Sequence, residues 1–203
     1  LTPGINLGLI GFAGSAITLV SPTQDRTPVV KAISRLKLAE ATATGEAIFS
    51  AIQTIKNFGQ LVAGPSGPPP ARIVLLSDGK QTIPNSDNSG PRGAFTAAKQ
   101  AGKDKIPVST ISFGTSGGVV DIQGQPYAVP VDDAALRKEA NLSGGDFYKA
   151  ASAQQLRKVY DTLGKQIGYE TKVADASKPW LILGTVLAML AAGGALAFNQ
   201  RLP

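Results

Sequence analysis

Ile73-Val74-Leu75-Leu76-Ser77-Asp78-Gly79 decides the fold of this chain. Four consecutive apolar residues without alternation are the pattern of a strand buried on both faces, and such strands belong to parallel sheets covered by helices. Ligands in open α/β sheets sit at the carboxyl ends of strands, so the same run singles out Asp78. Gly79 permits the tight turn that leaves this carboxylate at the sheet's edge. A turn or helix-capping aspartate is the other reading of that position.

Outward from this run, short β-rich segments alternate with helical patterns over residues 1–170. Towards the N-terminus, Ile5 to Phe12 and Ala16 to Val20 read as strands joined through Gly14-Ser15. Thr27 is a plausible N-cap with Pro28 at the first helical position, and Val29, Val30, Ile33 and Leu36 form the helical stripe. A second helix runs from Gly45 to about Phe58, with Thr44 as its expected N-cap. Gly64 to Pro70 is a loop by composition.

Towards the C-terminus, Gly93 to Ala101 reads as a helix and Val108 to Phe113 as a strand. Val119 to Ile122 and Tyr127 to Val131 suggest a hairpin around Gln123-Gly124. Asp132 or Asp133 can cap a helix through Leu136 to Asn141, and Phe147-Tyr148 is a short last strand. Ser152 with Gln155 forms a capping-box pattern for a helix carrying Leu156, Val159, Tyr160, Leu163 and Ile167.

Composition removes whole classes of chemistry. The 203 residues contain no Cys and no His, which excludes disulfides, thiolate metal sites, HExxH metalloenzymes and any Ser-His-Asp hydrolase. A bound metal would therefore be a hard ion such as Mg²⁺, held by oxygen. Twenty Lys+Arg against 14 Asp+Glu give a net charge of +6. These cations are scattered and aromatic residues are only 6% of the chain, so no nucleic-acid partner is expected. Gly114-Thr115-Ser116-Gly117-Gly118 spells a nucleophile elbow but lacks the histidine that one requires. Gly79-Lys80, Gly102-Lys103 and Gly164-Lys165 lack the glycine spacing and following hydroxyl of a phosphate loop.

Trp180 to Phe198 carries no charge, and 19 residues at 1.5 Å rise give roughly 28 Å, close to a hydrocarbon core. This predicts a transmembrane helix over 180–198, after a linker at 171–179 and before a tail at 199–203. Gly184, Ala188, Ala192 and Gly193-Gly194 offer small-residue spacing on it. Lys172 and Lys178 against Arg201 do not decide its orientation. The chain opens on Leu without a basic leader, and is expected to be the C-terminal part of a longer product.

The ordered set GLIGFAG, SPTQDR, ATATGEAI, IVLLSDGKQT and VSTISFG resembles the von Willebrand factor A domain, in particular actinobacterial membrane proteins of the aerotolerance type. The resemblance implies a Rossmann-like α/β sheet of mainly parallel strands with helices on both faces. It also implies a metal-ion-dependent adhesion site, in which a D-x-S-x-S loop, a Thr and an Asp hold Mg²⁺ for a partner's carboxylate. Thr42 matches the Thr through Ala41-Thr42-Ala43-Thr44-Gly45-Glu46-Ala47, and Asp78 matches the Asp.

D-x-S-x-S is absent from the sequence. In the family that loop follows the first, central strand, and a strand order resembling 3-2-1-4-5-6 makes this chain begin just before strand 2. The expected consequence is a sheet with its central strand missing. The runs at Ile5–Phe12 and Ile73–Leu76 should then stand about two strand spacings, roughly 10 Å, apart without direct hydrogen bonds.

The resemblance further implies a non-enzymatic protein-binding module, extracytoplasmic on the cell membrane. Its partners would be a MoxR-type AAA+ ATPase or envelope proteins. The alternatives are a metal-independent envelope scaffold that uses the hairpin or the Pro-rich loop, and an α/β hydrolase or phosphoryl-transfer enzyme using Asp78, Asp132 or Asp133.

Overall fold

The computed structural model describes residues 4–37, 41–65, 67–77, 80–113, 119–122, 125–128, 132–167 and 177–199. The chain forms two units, Leu1–Gly168 and Tyr169–Pro203. In the first, β3 (Ile73–Ser77), β4 (Val108–Phe113) and β7 (Phe147–Ala150) make a parallel sheet in the order β3-β4-β7. Its register sets Ile73 beside Val108 and Ser77 beside Ser112.

Strand alternation sorts the core into two layers. Ile73, Leu75 and Val108 pack with Ile48 and Ile52 of α2 (Thr44–Val62), Ala97 and Ala101 of α3 (Ala94–Lys103), and Leu136 of α4 (Asp133–Ser143). Val74, Ile111, Phe113 and Ala150 point the other way, onto Leu156, Val159 and Leu163 of α5 (Ala153–Ile167). Helices therefore cover both faces, which is why Ile73 to Leu76 of β3 read as an unbroken apolar run. Very close backbone contacts fix α2 against the start of α3. A Cβ on Gly45 would lie 2.0 Å from the Arg92 carbonyl oxygen.

β1 (Leu7–Phe12) and β2 (Ala16–Thr23) form a separate antiparallel pair. Among the described residues no ladder joins β1 to β3, in line with the expectation that these two runs share no direct hydrogen bonds. Helix α2 nevertheless packs on β1, β2 and β3 alike, and Phe12 reaches the main core. β1 and β3 thus each have an edge without a ladder among the described residues, and such edges template association. The isolated first unit is expected to self-associate with rising concentration in sedimentation velocity; a monomer at every concentration would show that the edges are covered.

Several local expectations need correction. Thr27 is the first residue of α1 (Thr27–Ile33), not its cap; the Asp25 carboxylate accepts the Thr27 N–H at 2.9 Å. The helix ends at Ile33, so Leu36 lies beyond it. Thr44 likewise belongs to α2, and its N-cap position is Ala43, which has no side-chain oxygen to offer. The hairpin pairs β5 (Val119–Ile122) with β6 (Gln125–Ala128), earlier than Tyr127–Val131, while Gln123-Gly124 falls outside the described residues. The capping box at α5 is half formed: the Gln155 N–H donates to Ser152 Oγ at 3.3 Å, while Gln155 Oε1 accepts the N–H of Ala151, one residue before the cap, at 2.7 Å.

In the second unit, α6 (Ser177–Asn199) is a 23-residue helix over the predicted span. Trp180, Leu181, Ile182, Met189 and Leu190 are each more than 60% exposed, and Thr185 Oγ1 turns inward to donate to the Leu181 and Ile182 carbonyls. Among the described residues, however, no helix is long and apolar enough to cross a membrane. The full span predicted over 180–198 is therefore not reproduced. The described side chains of α6 stop at Ala195, before the apolar run ends at Phe198.

Candidate functional site

Thr42 lies in the segment that leads into α2, and the segment after Asp78 folds back onto it. The Thr42 N–H donates to Thr82 Oγ1 at 2.8 Å. The Thr42 carbonyl accepts the N–H groups of Thr82 at 2.9 Å and Ile83 at 3.3 Å. Ala43 N–H donates to the Ala13 carbonyl at 2.7 Å, which ties the same segment to the end of β1. These bonds use the main chain of Thr42 and leave its hydroxyl out of the exchange.

Gln81 completes the junction. It is buried, its Oε1 accepts the Gly45 N–H at 3.1 Å, and its Nε2 donates to the Asn85 carbonyl at 3.2 Å. A helix begins with unpaired N–H groups, normally met by a Ser, Thr, Asp or Asn just before it. In α2 that position is Ala43, so a side chain from another segment supplies the acceptor. Asp78 and Gly79 lie outside the described residues. The structure thus brings the Thr42 segment and the segment following Asp78 into direct contact.

Sequence reasoning missed Gln81 and Thr82. The available signal was a polar run, Lys80-Gln81-Thr82, where a strand had already ended. Beside the junction, Glu46 and Arg92 form a two-pronged ion pair, with Arg92 Nε to Glu46 Oε1 at 2.5 Å and Nη2 to Oε2. The Arg92 guanidinium lies 5.0 Å from the Phe49 ring centroid, and its hydrogen bonds to Glu46 hold that carboxyl below its ordinary range. The pair faces a cleft of about 410 Å³ with Gln53, Lys56 and Gln100. Lys56 is itself paired with Asp104 at 2.8 Å, so the cleft's main cations are neutralised from within.

Asp132 and Asp133 have separate tasks. Asp132 Oδ1 accepts the Ala135 N–H at 3.0 Å as the N-cap of α4. Asp133 accepts Ser112 Oγ at 2.5 Å and Lys149 Nζ at 2.6 Å, a clamp joining α4 to β4 and β7. Lys149, then Ser112, holds the Asp133 carboxyl below its usual value.

The donors present do not by themselves fit an Mg²⁺ ion. The ion takes about six oxygens, whereas only Thr42 and Asp78 are expected from the sequence, the latter outside the described residues. No group of three or more carboxylates gathers among the described residues.

A family model described as the von Willebrand factor type A domain matches residues 1–81. UPF0353 proteins align with the whole of this chain: that of Mycolicibacterium vanbaalenii is 54% identical and that of Mycobacterium tuberculosis 55% identical, each over 204 residues. The chain spans 60% of the length of these relatives. Among solved structures, BatB from Bacteroides thetaiotaomicron superposes with a TM-score of 0.63 at 20% identity, over 80% of this chain and 78% of that one. An aerotolerance-related membrane protein from Bacteroides fragilis gives 0.54 at 22% identity, over 77% of each. A parallel sheet covered on both faces, with the sequence match over residues 1–81, therefore identifies a von Willebrand factor type A fold in a chain similar along its whole length to the UPF0353 proteins of mycobacteria.

Proposed function

We propose that this chain is the membrane-attached, partner-binding part of a longer protein, and that it recruits a protein partner without covalent chemistry. The observation that carries the reading is the hydrogen-bonded junction between the Thr42 segment and residues 81–83. It joins the segment carrying Thr42 to residues that closely follow Asp78 in the chain, which supports the reading. In the longer protein the remaining oxygen donors would come from a D-x-S-x-S loop outside this sequence, and the ion would present an open position to a partner's carboxylate.

A MoxR-type AAA+ ATPase or an envelope protein is the partner class we propose. Attachment through the apolar surface of α6, with the first unit outside the cytoplasmic membrane, fits a fold neighbour described as a membrane protein. Asp132 and Asp133 are already engaged as a cap and a clamp, which favours binding over hydrolysis. A turnover lost in Asp78→Ala would reverse that judgement.

The test is recovery of the ATPase by the longer protein with and without Mg²⁺. Recovery is expected to need the ion and to fall to background in Asp78→Ala. Equal recovery in all samples would favour the second reading, a metal-independent scaffold. One observation speaks for that scaffold: Leu61 is 85% exposed at the end of α2, beside the exposed Pro65, Pro68, Pro69 and Pro70.

A further inference from the structure

Helix α4 buries a side chain that its surroundings do not satisfy. Leu136, Glu139, Ala140 and Ser143 repeat at helical spacing and form its buried face, and α4 packs on α3, β4 and β7. The other polar groups here are paired. Ser143 Oγ accepts the Val108 N–H at 2.9 Å and donates to the Ala140 carbonyl at 2.9 Å, and Thr110 Oγ1 donates to the Leu136 carbonyl at 2.8 Å. Glu139 is 2% exposed, and its Oε2 is buried with no hydrogen-bond partner.

The charges around it are committed elsewhere. β4 carries no titratable side chain. On β7, Tyr148 packs with Ile111, Ala150 and Leu163 on the far side of the sheet, and Lys149 is held by Asp133. α3 buries Ala94, Ala97, Ala98 and Ala101, while its Lys99 and Lys103 are exposed. Within α4, Arg137 lies over the Phe147 ring at 4.2 Å and Lys138 over the Phe95 ring at 4.3 Å. The charge that acts on Glu139 is Asp132, of the same sign.

An ionised carboxylate in such a place has lost its water and gained nothing in exchange. Burial, and secondarily Asp132, pushes the Glu139 carboxyl up from 4.5 to about 8. We propose that α4 is latched by a proton on Glu139: the protonated side chain lets the helix seat on α3 and β4, and withdrawal of the proton loosens that seat. The Asp133 clamp is part of α4, and Ser112 lies beside Ser77 in the register. The latch therefore reaches the carboxyl end of β3, one strand away. It stands on the packing of α4 and is independent of the metal reading.

The sign follows from linkage. The folded value is raised, so the seated helix binds more protons than the opened one between the two values. Its stability is full below about pH 4.5, falls as pH rises, and levels off above about pH 8. Hydrogen exchange of the full chain in mild detergent reads this directly. After correction for intrinsic exchange, opening of α4 amides is expected to rise about tenfold per pH unit from about pH 5 to pH 8, then level. Glu139→Gln should flatten the rise, and Asp132→Asn should bring the plateau to lower pH. If Glu139→Gln does not fold, Glu139→Leu serves the same comparison. Opening of α4 that stays flat over that range in the wild type, or that keeps its slope in the Glu139 variants, overturns the latch.

Discussion

Gly45→Ala is expected to lower the melting temperature by about 10 °C, the shift that some 3 kcal/mol produces in a domain of this size. The added Cβ would sit 2.0 Å from the Arg92 carbonyl oxygen, 2.8 Å from the Gly93 carbonyl carbon and 3.0 Å from the Ala94 nitrogen. All three are main-chain atoms at the entry to α3, so no side-chain rotation relieves the overlap. Either α2 or α3 must shift, and a shift of α2 also breaks the bond from Gly45 to Gln81. Gly64→Ala is the matched control. Nothing lies within 4 Å of a Cβ there, and its melting temperature should stay within about 2 °C of the wild type. Coincident melting curves for Gly45→Ala and the wild type would mean that the helices are not in contact at this point.

Asp133→Ala should be the most damaging change to a charged residue, at about 2–3 kcal/mol. The larger part comes from Ser112, which is wholly buried and would be left donating to nothing. The bond to Lys149 adds less, because that ammonium is half exposed and water screens it. Asp133→Asn, which retains an acceptor for Ser112, should therefore cost distinctly less, and Lys149→Met less still. Chemical denaturation of the three variants decides the ranking; a Lys149→Met loss as large as that of Asp133→Ala would reverse this apportionment. The Asp133 carboxyl is held below its ordinary value, so its contribution is complete above the usual carboxylate range. It disappears as pH falls through and below that range. Asp133→Asn should accordingly flatten the acid side of the stability profile.

The parallel sheet was legible because burial on both faces writes a continuous apolar run. Ile73 to Leu76 is such a run; Val108 to Phe113, interrupted by Ser109, Thr110 and Ser112, reads as a strand through its β-branched Val108, Thr110 and Ile111. The lack of a ladder between β1 and β3 was expected only through the family resemblance, since an apolar run does not say which strand it pairs with. The junction at Gln81 was not legible, for a physical reason. A bond between two loops has no periodicity, and a capping acceptor borrowed from 36 residues away leaves no mark beside the helix it caps. Glu139 escaped for the opposite reason: it repeats with Leu136, Ala140 and Ser143 at helical spacing, but a carboxylate invites assignment to the solvent side. The second hairpin arm was set too late because Gln125 and Pro126 are poor strand formers. Propensity yielded there to pairing with Val119–Ile122.

The amide oxygen of Gln81 is a coupling pin. Through it the 19 residues of α2 and the turn that follows β3 are obliged to travel together. A pull exerted at the mouth of the sheet is consequently transmitted along a rod about 28 Å in length. The far end of α2, where Leu61 stands in solvent, would register the load.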